Sequence, residues 1–317
     1  MFIRMHTVGI AALAFCGAAG LAGAQDAGEA WLTGSAPQRG SEAPVRGADL
    51  LAIDTMVIGD DAIAYINTSP PSFAVVHGDI PEVGACPEIE YGQDGYIYAL
   101  DTADNTKLHR LTIHGDYLKS FTIEFPEGYD VLTAAEWVNG GLVVALATEG
   151  GGGVAGIGRL ELDNDADTAT FVVSPTSLGF NGALGGLAFD PGEGLFYAVV
   201  AGGASPQLLA ISGLGVPTVI GTLMEGDQVA PGMTGLEFAS DGQLYAVPNT
   251  NTGRGGELFI VNRSNAQCMS LGFTGNEGIV GITSRAGCSQ ADLAFPFGTL
   301  DFSDVANFLT YFGAGCP

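Results

Sequence analysis

Three glutamates of the long central region, Glu90, Glu136 and Glu237, recur at a spacing that suits metal binding or acid/base catalysis. Each falls at the same position of a strand predicted to be innermost in a repeated unit, where two other units carry Ala188 and Thr283. Three carboxylates at one level of a central channel could form an oxygen cage for Ca²⁺ or a general acid/base set. The competing interpretation is that they point into gaps between units or solvate the channel rim.

Histidine, a common catalytic residue, is rare in the sequence. After the leader described below, the histidines are His77, His109 and His114. His109 and His114 lie five positions apart in a predicted strand, which places them on opposite faces and predicts structural or surface roles. The sequence contains no Gly-x-Ser-x-Gly elbow and no His-Glu-x-x-His pair, so no catalytic residue is assigned.

The glutamates belong to a region that repeats. Five strand-like segments each carry one alanine at a matching place, 46 to 53 residues apart: Ala52, Ala99, Ala145, Ala198 and Ala246. A period of this length, filled with short strands and Gly, Asn or Asp turns, is typical of β-propellers. We therefore predict an all-β fold in which residues 49–284 form a five-bladed β-propeller. A six-bladed ring is the structural alternative, because residues 25–48 could contribute strands.

The ends of the repeat array predict how it closes. Residues 279–283 resemble the first strand of a repeat, whereas the repeat around residues 50–54 lacks one. Pairing of these two segments would assemble one repeat from both ends of the region and cover its exposed edges.

The N-terminus indicates export. One early cation (Arg4), an apolar stretch and Ala22-Gly23-Ala24 form the pattern of a secretory signal peptide over residues 1–24, followed by a flexible lead-in over residues 25–48. The net charge of −25 argues against nucleic acid and anionic membrane surfaces as partners. The sequence thus predicts a secreted protein, extracellular or associated with the cell surface, with no membrane insertion.

Four cysteines remain after the leader: Cys86, Cys268, Cys288 and Cys316. An even number in an exported chain predicts two disulfides, and four cysteines allow three pairings. We favour Cys288 with Cys316, because this bond would tie together the two ends of a short C-terminal module. Cys86 with Cys268 then follows only by exclusion.

The C-terminal module, residues 285–317, carries the densest motif. Its helix face is Val305, Phe308, Leu309 and Phe312, preceded by an acidic loop with Asp292, Asp301 and Asp304 and closed by Gly-Ala-Gly-Cys316. This stretch resembles the dockerin-type C-terminal domain of secreted bacterial proteins, in its Gly-Cys-ended variety.

The resemblance implies a Ca²⁺ loop and docking to a cohesin-like or cell-surface protein. Carried over, Asp292 matches the first loop ligand, Asp304 the last, and Asp301 lies near the ninth position. Ala294 and Pro296 stand where the family has Asn or Asp, the loop is one residue longer, and only one repeat is present. These departures predict weak calcium binding or none, and calcium is the only cofactor that the sequence suggests.

The sequence therefore predicts a secreted, non-catalytic binding or surface-associated propeller with a dockerin-like tail. The alternative is an extracellular propeller enzyme that acts on carbohydrate or lactone substrates through Glu90, Glu136 and Glu237. The ligand of the propeller is not identified by any motif.

Overall fold

The computed structural model describes residues 49–55, 62–77, 80–84, 86–148, 154–200, 205–239 and 241–284. They form 22 β-strands and one short 3₁₀ helix, Thr250–Thr252, which confirms the predicted all-β class. The predicted signal peptide, lead-in and dockerin-like module lie outside the described residues. No helix in the described part of the chain is long and apolar enough to cross a lipid bilayer.

The strands form a propeller-like array of four-stranded antiparallel units, which we number along the chain. Unit 1 contains β1 (Asp49–Asp54), β2 (Ala62–Thr68), β3 (Pro71–His77) and the last strand, β22 (Ile279–Ser284). Unit 2 contains β4 (Ile89–Tyr91), β5 (Ile97–Leu100), β6 (Lys107–Leu111) and β7 (Tyr117–Ile123). Unit 3 contains β8 (Val131–Val138), β9 (Gly141–Ala147), β10 (Val154–Asp163) and β11 (Thr168–Asn181).

Unit 4 contains β12 (Leu184–Asp190), β13 (Leu195–Val200), β14 (Gln207–Ser212) and β15 (Pro217–Thr222). Unit 5 contains β18 (Met233–Phe238), β19 (Leu244–Pro248), β20 (Glu257–Val261) and β21 (Cys268–Phe273). A small hairpin of β16 (Met224–Glu225) and β17 (Gln228–Val229) lies between units 4 and 5 in the chain. A short parallel contact between β7 and β11 joins units 2 and 3 into one eight-stranded sheet.

Unit 1 is closed by strands from both ends of the described chain. Strand β22 pairs antiparallel with β1, with Thr283 opposite Leu51 and Ile282 opposite Ala52. The predicted pairing of residues 279–283 with residues 50–54 is therefore confirmed. The innermost strand of unit 1 thus comes from the C-terminal end, and its three other strands come from the N-terminal end.

Five hydrophobic clusters lie between consecutive units. They join units 1 and 2, units 2 and 3, units 3 and 4, units 4 and 5, and finally units 5 and 1. In the last of them, Ala52 and Ile66 of unit 1 pack with Tyr245 and Val247 of unit 5. Because each unit buries both of its faces against neighbours, hydrophobic burial stabilises a cyclic arrangement.

The five repeat alanines are all fully buried, but one of them packs against the opposite neighbouring unit from the others. Ala99 and Ala198 pack in clusters shared with the preceding unit, whereas Ala145 packs in the cluster shared with the following unit. Strands β8 and β9 are joined by a tight turn, Asn139-Gly140, in which both residues have positive φ. This turn shifts the strand register by one position relative to unit 2, and such a shift exchanges the two faces of a strand.

Glycines allow the innermost strands of neighbouring units to approach closely. A Cβ on Gly281 would lie 2.8 Å from Glu88 Cα, and a Cβ on Gly186 would lie 2.5 Å from the backbone nitrogen of Leu236. Gly186 also has a φ of 73°, which side chains other than glycine rarely adopt. The innermost strands therefore leave a narrow centre between them.

Candidate metal centre

The three glutamates singled out from the sequence come together at this centre. Glu90 lies on β4, Glu136 on β8 and Glu237 on β18, and each offers an oxygen within 4.8 Å of the other two. The three residues expose 4%, 8% and 5% of their surface. They thus form one interior cluster and do not line a solvated rim.

Hydrogen bonds between innermost strands hold the Glu90 carboxylate in place. Its Oε1 accepts the backbone N–H of Trp137 from unit 3 at 2.9 Å, and its Oε2 accepts the hydroxyl of Thr283 from unit 1 at 3.1 Å. The Thr283 oxygen in turn accepts the backbone N–H of Tyr91 at 3.0 Å. One buried acid therefore fixes three neighbouring units relative to one another.

Glu136 makes the equivalent hydrogen bond one unit further along, because its carboxylate accepts the backbone N–H of Phe189 on the innermost strand of unit 4. In each case the donor follows the equivalent position on the next innermost strand: Tyr91 follows Glu90, Trp137 follows Glu136, and Phe189 follows Ala188. This pattern identifies Glu90, Glu136, Ala188 and Thr283 as structurally equivalent. Ala188 has no polar group, so unit 4 contributes neither a carboxylate nor a side-chain acceptor at this level.

Burial sets the electrostatics of the cluster. Loss of solvation raises the pKa of Glu90 well above its usual value, and the nearby charge of Glu237 raises it further. Burial likewise raises the pKa of Glu136, with added repulsion from Glu237 and Glu90. At an effective dielectric constant near 20, two carboxylates at this spacing repel each other by about 3 kcal/mol.

No lysine or arginine of the described residues is among the groups that shift the pKa of Glu90 or of Glu136. The lysine and arginine ion pairs found there involve other acids: Arg254 pairs with Glu225 and Glu257, Arg263 with Asp190 and Glu193, and Lys119 with Asp167. Buried carboxylates without a counter-charge must take up protons or bind a cation. The arrangement can therefore share protons or hold a metal ion.

A fourth buried acid, Glu88, was not identified from the sequence. It exposes 2% of its surface, and its Oε2 has no hydrogen-bond partner among the described residues. Burial raises the pKa of Glu88, and the charges of Glu90 and Glu237 raise it further. A signal was available, because residues two positions apart in a strand point to the same face. Glu88 precedes Glu90 by two positions, at the place where units 4, 5 and 1 carry Gly186, Gly235 and Gly281.

A second polar network contains His109, which was expected to have a structural or surface role. His109 is 3% exposed, and its ring nitrogens contact Ser120 Oγ at 2.9 Å and Asp101 Oδ2 at 3.0 Å. An Asp, a His and a Ser in contact also occur in hydrolases. Here, however, the Asp101 carboxylate also accepts the backbone N–H groups of Gly84, Ala103 and Asp104, and Ser120 Oγ is hydrogen-bonded to the Tyr117 hydroxyl. These bonds join a turn to strands β6 and β7, which is a structural role.

The predicted Cys86–Cys268 disulfide is wrong. The two cysteines are buried thiols in different hydrophobic clusters, that between units 1 and 2 and that between units 4 and 5. The Cys86 thiol donates to the backbone oxygen of Glu88 at 3.1 Å. The pairing had been reached by exclusion, and the positions of the two units in the array separate its two partners. Cys288 and Cys316 lie outside the described residues, as do the predicted calcium ligands Asp292, Asp301 and Asp304.

Comparisons with known proteins include two solved structures of distant similarity. No protein-family model and no curated protein matches the chain. A crystal structure of a protein of unknown function from Bacteroides caccae aligns with a TM-score of 0.42 and 13% identity, over 70% of this chain and 72% of that one. A chain of a nidogen/laminin complex aligns with a TM-score of 0.46 and 13% identity, over 75% of this chain and 98% of that one. Similarity at this level assigns neither a ligand nor an activity.

Proposed function

We propose that this protein is a secreted, non-catalytic β-propeller that binds a partner through its outer surface. Its dockerin-like tail attaches it to a cohesin-like or cell-surface protein. The observation that carries the proposal is the burial of the three converging carboxylates, which expose at most 8% of their surface. A sugar or lactone must contact both a general acid and a base or nucleophile to react. Carboxylates enclosed between innermost strands do not offer that contact.

The proposal includes a five-bladed ring. Each four-stranded unit would be one blade, and the innermost strands contact one another in the cyclic order β4, β8, β12, β18, β22 and again β4. The hydrophobic clusters follow the same cycle. Contact between the innermost strands of units 1 and 2 supports five blades over the six-bladed alternative.

A cleft of about 460 Å³ on unit 5 offers a concave surface for a partner. It lies at the end of strands β19 and β20 and is lined in part by Phe238, Ile260, Arg263 and Met269. A volume of this size is within the usual range of ligand sites, and its lining combines apolar side chains with a guanidinium group. These features suit a short protein segment or a glycan.

The attachment role rests on the tail sequence, Asp292, Asp301 and Asp304 followed by the helix face that contains Phe308. In the organism that encodes the protein, the full chain should be found in the cell-surface fraction. Phe308→Asp places a charge on the predicted binding face and should release the protein into the medium. Thr310→Asp, which adds the same charge on the opposite face of the predicted helix, should remain attached.

Two results would contradict the proposal. A wild-type protein found in the cytoplasm or free in the medium would remove the attachment role, as would equal retention of the two variants. A hydrolytic rate on glycosides or lactones that is present in the wild type and lost in Glu136→Gln would establish the catalytic alternative.

A further inference from the structure

We propose that Glu90, Glu136 and Glu237 form a buried site for one divalent cation of the calcium type, which joins units 2, 3 and 5 at the centre of the array. This inference does not depend on the proposed function, because it concerns only the described residues. It would hold equally for a binding protein, a structural protein or an enzyme.

The chemistry of the donor atoms selects the class of cation. All three donors are carboxylate oxygens, and the cluster contains neither a thiolate nor an imidazole. Hard cations such as Ca²⁺ and Mg²⁺ prefer oxygen ligands, whereas zinc and copper favour sites with nitrogen or sulfur. The all-oxygen set therefore points to a hard divalent cation.

The tolerance of calcium for irregular coordination geometry favours calcium within that class. The three oxygens lie within 4.8 Å of one another. Calcium binds oxygen at roughly 2.3–2.6 Å, so two ligands on opposite sides of the ion stand about 4.8 Å apart. Magnesium demands shorter distances and a strict octahedron, and it releases its water reluctantly. The separations are thus compatible with one Ca²⁺ ion shared by the three carboxylates.

An unpartnered oxygen at the cluster is the second observation. Glu136 is more than nine-tenths buried, and its Oε2 has no hydrogen-bond partner among the described residues. Buried polar atoms in folded proteins almost always have a partner. A cation bound between the carboxylates supplies one for Glu136. The hydrogen bonds to Glu90 do not prevent binding, since each carboxylate oxygen carries two lone pairs.

The site lies where a cation would have the largest structural effect. Its three ligands belong to strands that are far apart in the chain, β4, β8 and β18. Through the bond from Thr283 to Glu90 Oε2, the fourth innermost strand, β22, is connected as well. Binding of one ion would replace repulsion between three units by attraction, so the cation should stabilise ring closure.

The test uses the full mature chain with Asp292→Asn and Asp304→Asn, which removes charge from the only other predicted calcium loop. After exhaustive dialysis, elemental analysis should find one calcium ion per chain in this protein. Glu136→Gln and Glu237→Gln keep the shape and the acceptor oxygen and remove the charge, so each should lose the ion. Glu127→Gln is the matched control, because it makes the same change at an exposed residue and should retain it.

Terbium luminescence locates the ion. Trp137 adjoins Glu136 in sequence and donates its backbone N–H to Glu90, whereas the tail contains no tryptophan. Tb³⁺ added during refolding should give emission sensitised by tryptophan that Ca²⁺ competes away. The affinity should fall by about 100-fold in Glu136→Gln, because calcium affinity depends strongly on the charge of the ligands.

Several outcomes would overturn the proposal. Absence of bound calcium together with absence of sensitised terbium emission would show that the carboxylates are neutralised by protons alone. Equal binding by the wild type and both glutamine variants would place the ion elsewhere. If the glutamine variants do not fold, the parent protein is tested instead. After chelator treatment, added calcium should raise the midpoint of its thermal unfolding. An unchanged midpoint would contradict the site.

Discussion

The hydroxyl of Thr283 donates a hydrogen bond to Glu90 Oε2 at 3.1 Å, although the two residues are 193 positions apart in the chain. Thr283 lies on β22, which completes unit 1, and Glu90 lies on the first strand of unit 2. The same hydroxyl oxygen accepts the backbone N–H of Tyr91. This pair therefore connects the last described strand both to the start of unit 2 and to the central acids.

Thr283→Val should destabilise the protein by about 1–3 kcal/mol, because the isosteric valine leaves the Tyr91 N–H and one Glu90 oxygen buried without their partner. Unfolding in urea, followed by tryptophan fluorescence, measures the loss. Thr122→Val, a similar change at an exposed position of β7, should alter the free energy of unfolding by less than about 0.5 kcal/mol. Equal effects of the two substitutions would show that the Thr283 bond contributes nothing to stability.

The metal-free protein should lose stability as the pH rises above the ordinary glutamate pKa of 4.5. Burial holds the pKa values of Glu88, Glu90 and Glu136 above the ordinary value of 4.5, so the folded state retains protons that the unfolded chain has released. Folding then becomes less favourable as these protons are lost. The free energy of unfolding, measured with chelator present, should fall as the pH rises and fall less steeply in Glu136→Gln. A rise in stability with pH would contradict the description of the cluster.

The two buried thiols should be inert in the native protein. Burial, and then the nearby charge of Glu225, raises the pKa of the Cys268 thiol to about 12, so little of the reactive thiolate is present at neutral pH. Alkylation followed by peptide mapping should label Cys86 and Cys268 only after unfolding, without any reductant. A disulfide-linked peptide that joins these two residues would contradict the structure.

The network of Asp101, His109 and Ser120 should affect stability and not reactivity. His109→Ala removes a partner from a buried carboxylate and should cost about 2–3 kcal/mol in the free energy of unfolding. Ser120→Ala should cost about 1 kcal/mol, and Ser174→Ala at an exposed position of β11 should cost almost nothing. Labelling of Ser120 by a serine-hydrolase probe would contradict the structural role.

The repeat pattern was sufficient to predict an all-β repeating array and the closing pair of β1 and β22. This was possible because matching turns and apolar runs recur at a nearly fixed period, which can be read directly from the sequence. The orientation of Ala145 was not predictable from the same alignment. That orientation depends on the length of the Asn139-Gly140 turn, and a change of one residue in a turn reverses the faces of the strand that follows.

The central site was predictable only in part. Equivalent positions in the repeat identified Glu90, Glu136 and Glu237, since a cyclic array brings equivalent residues of its units together. The spacing of two positions from Glu90 was a signal that Glu88 shares its face, but the burial of Glu88 also depends on Gly281, which is distant in the sequence. The absence of the Cys86–Cys268 bond likewise follows from the positions of their units and not from local sequence.

Anomalous diffraction from crystals of the full chain grown with calcium tests the central claim most directly. The account predicts one anomalous peak about 2.4 Å from an oxygen of each of Glu90, Glu136 and Glu237, and no such peak in crystals of Glu136→Gln. A centre that contains only hydrogen-bonded carboxyl groups, with calcium bound solely in the C-terminal module, would contradict it.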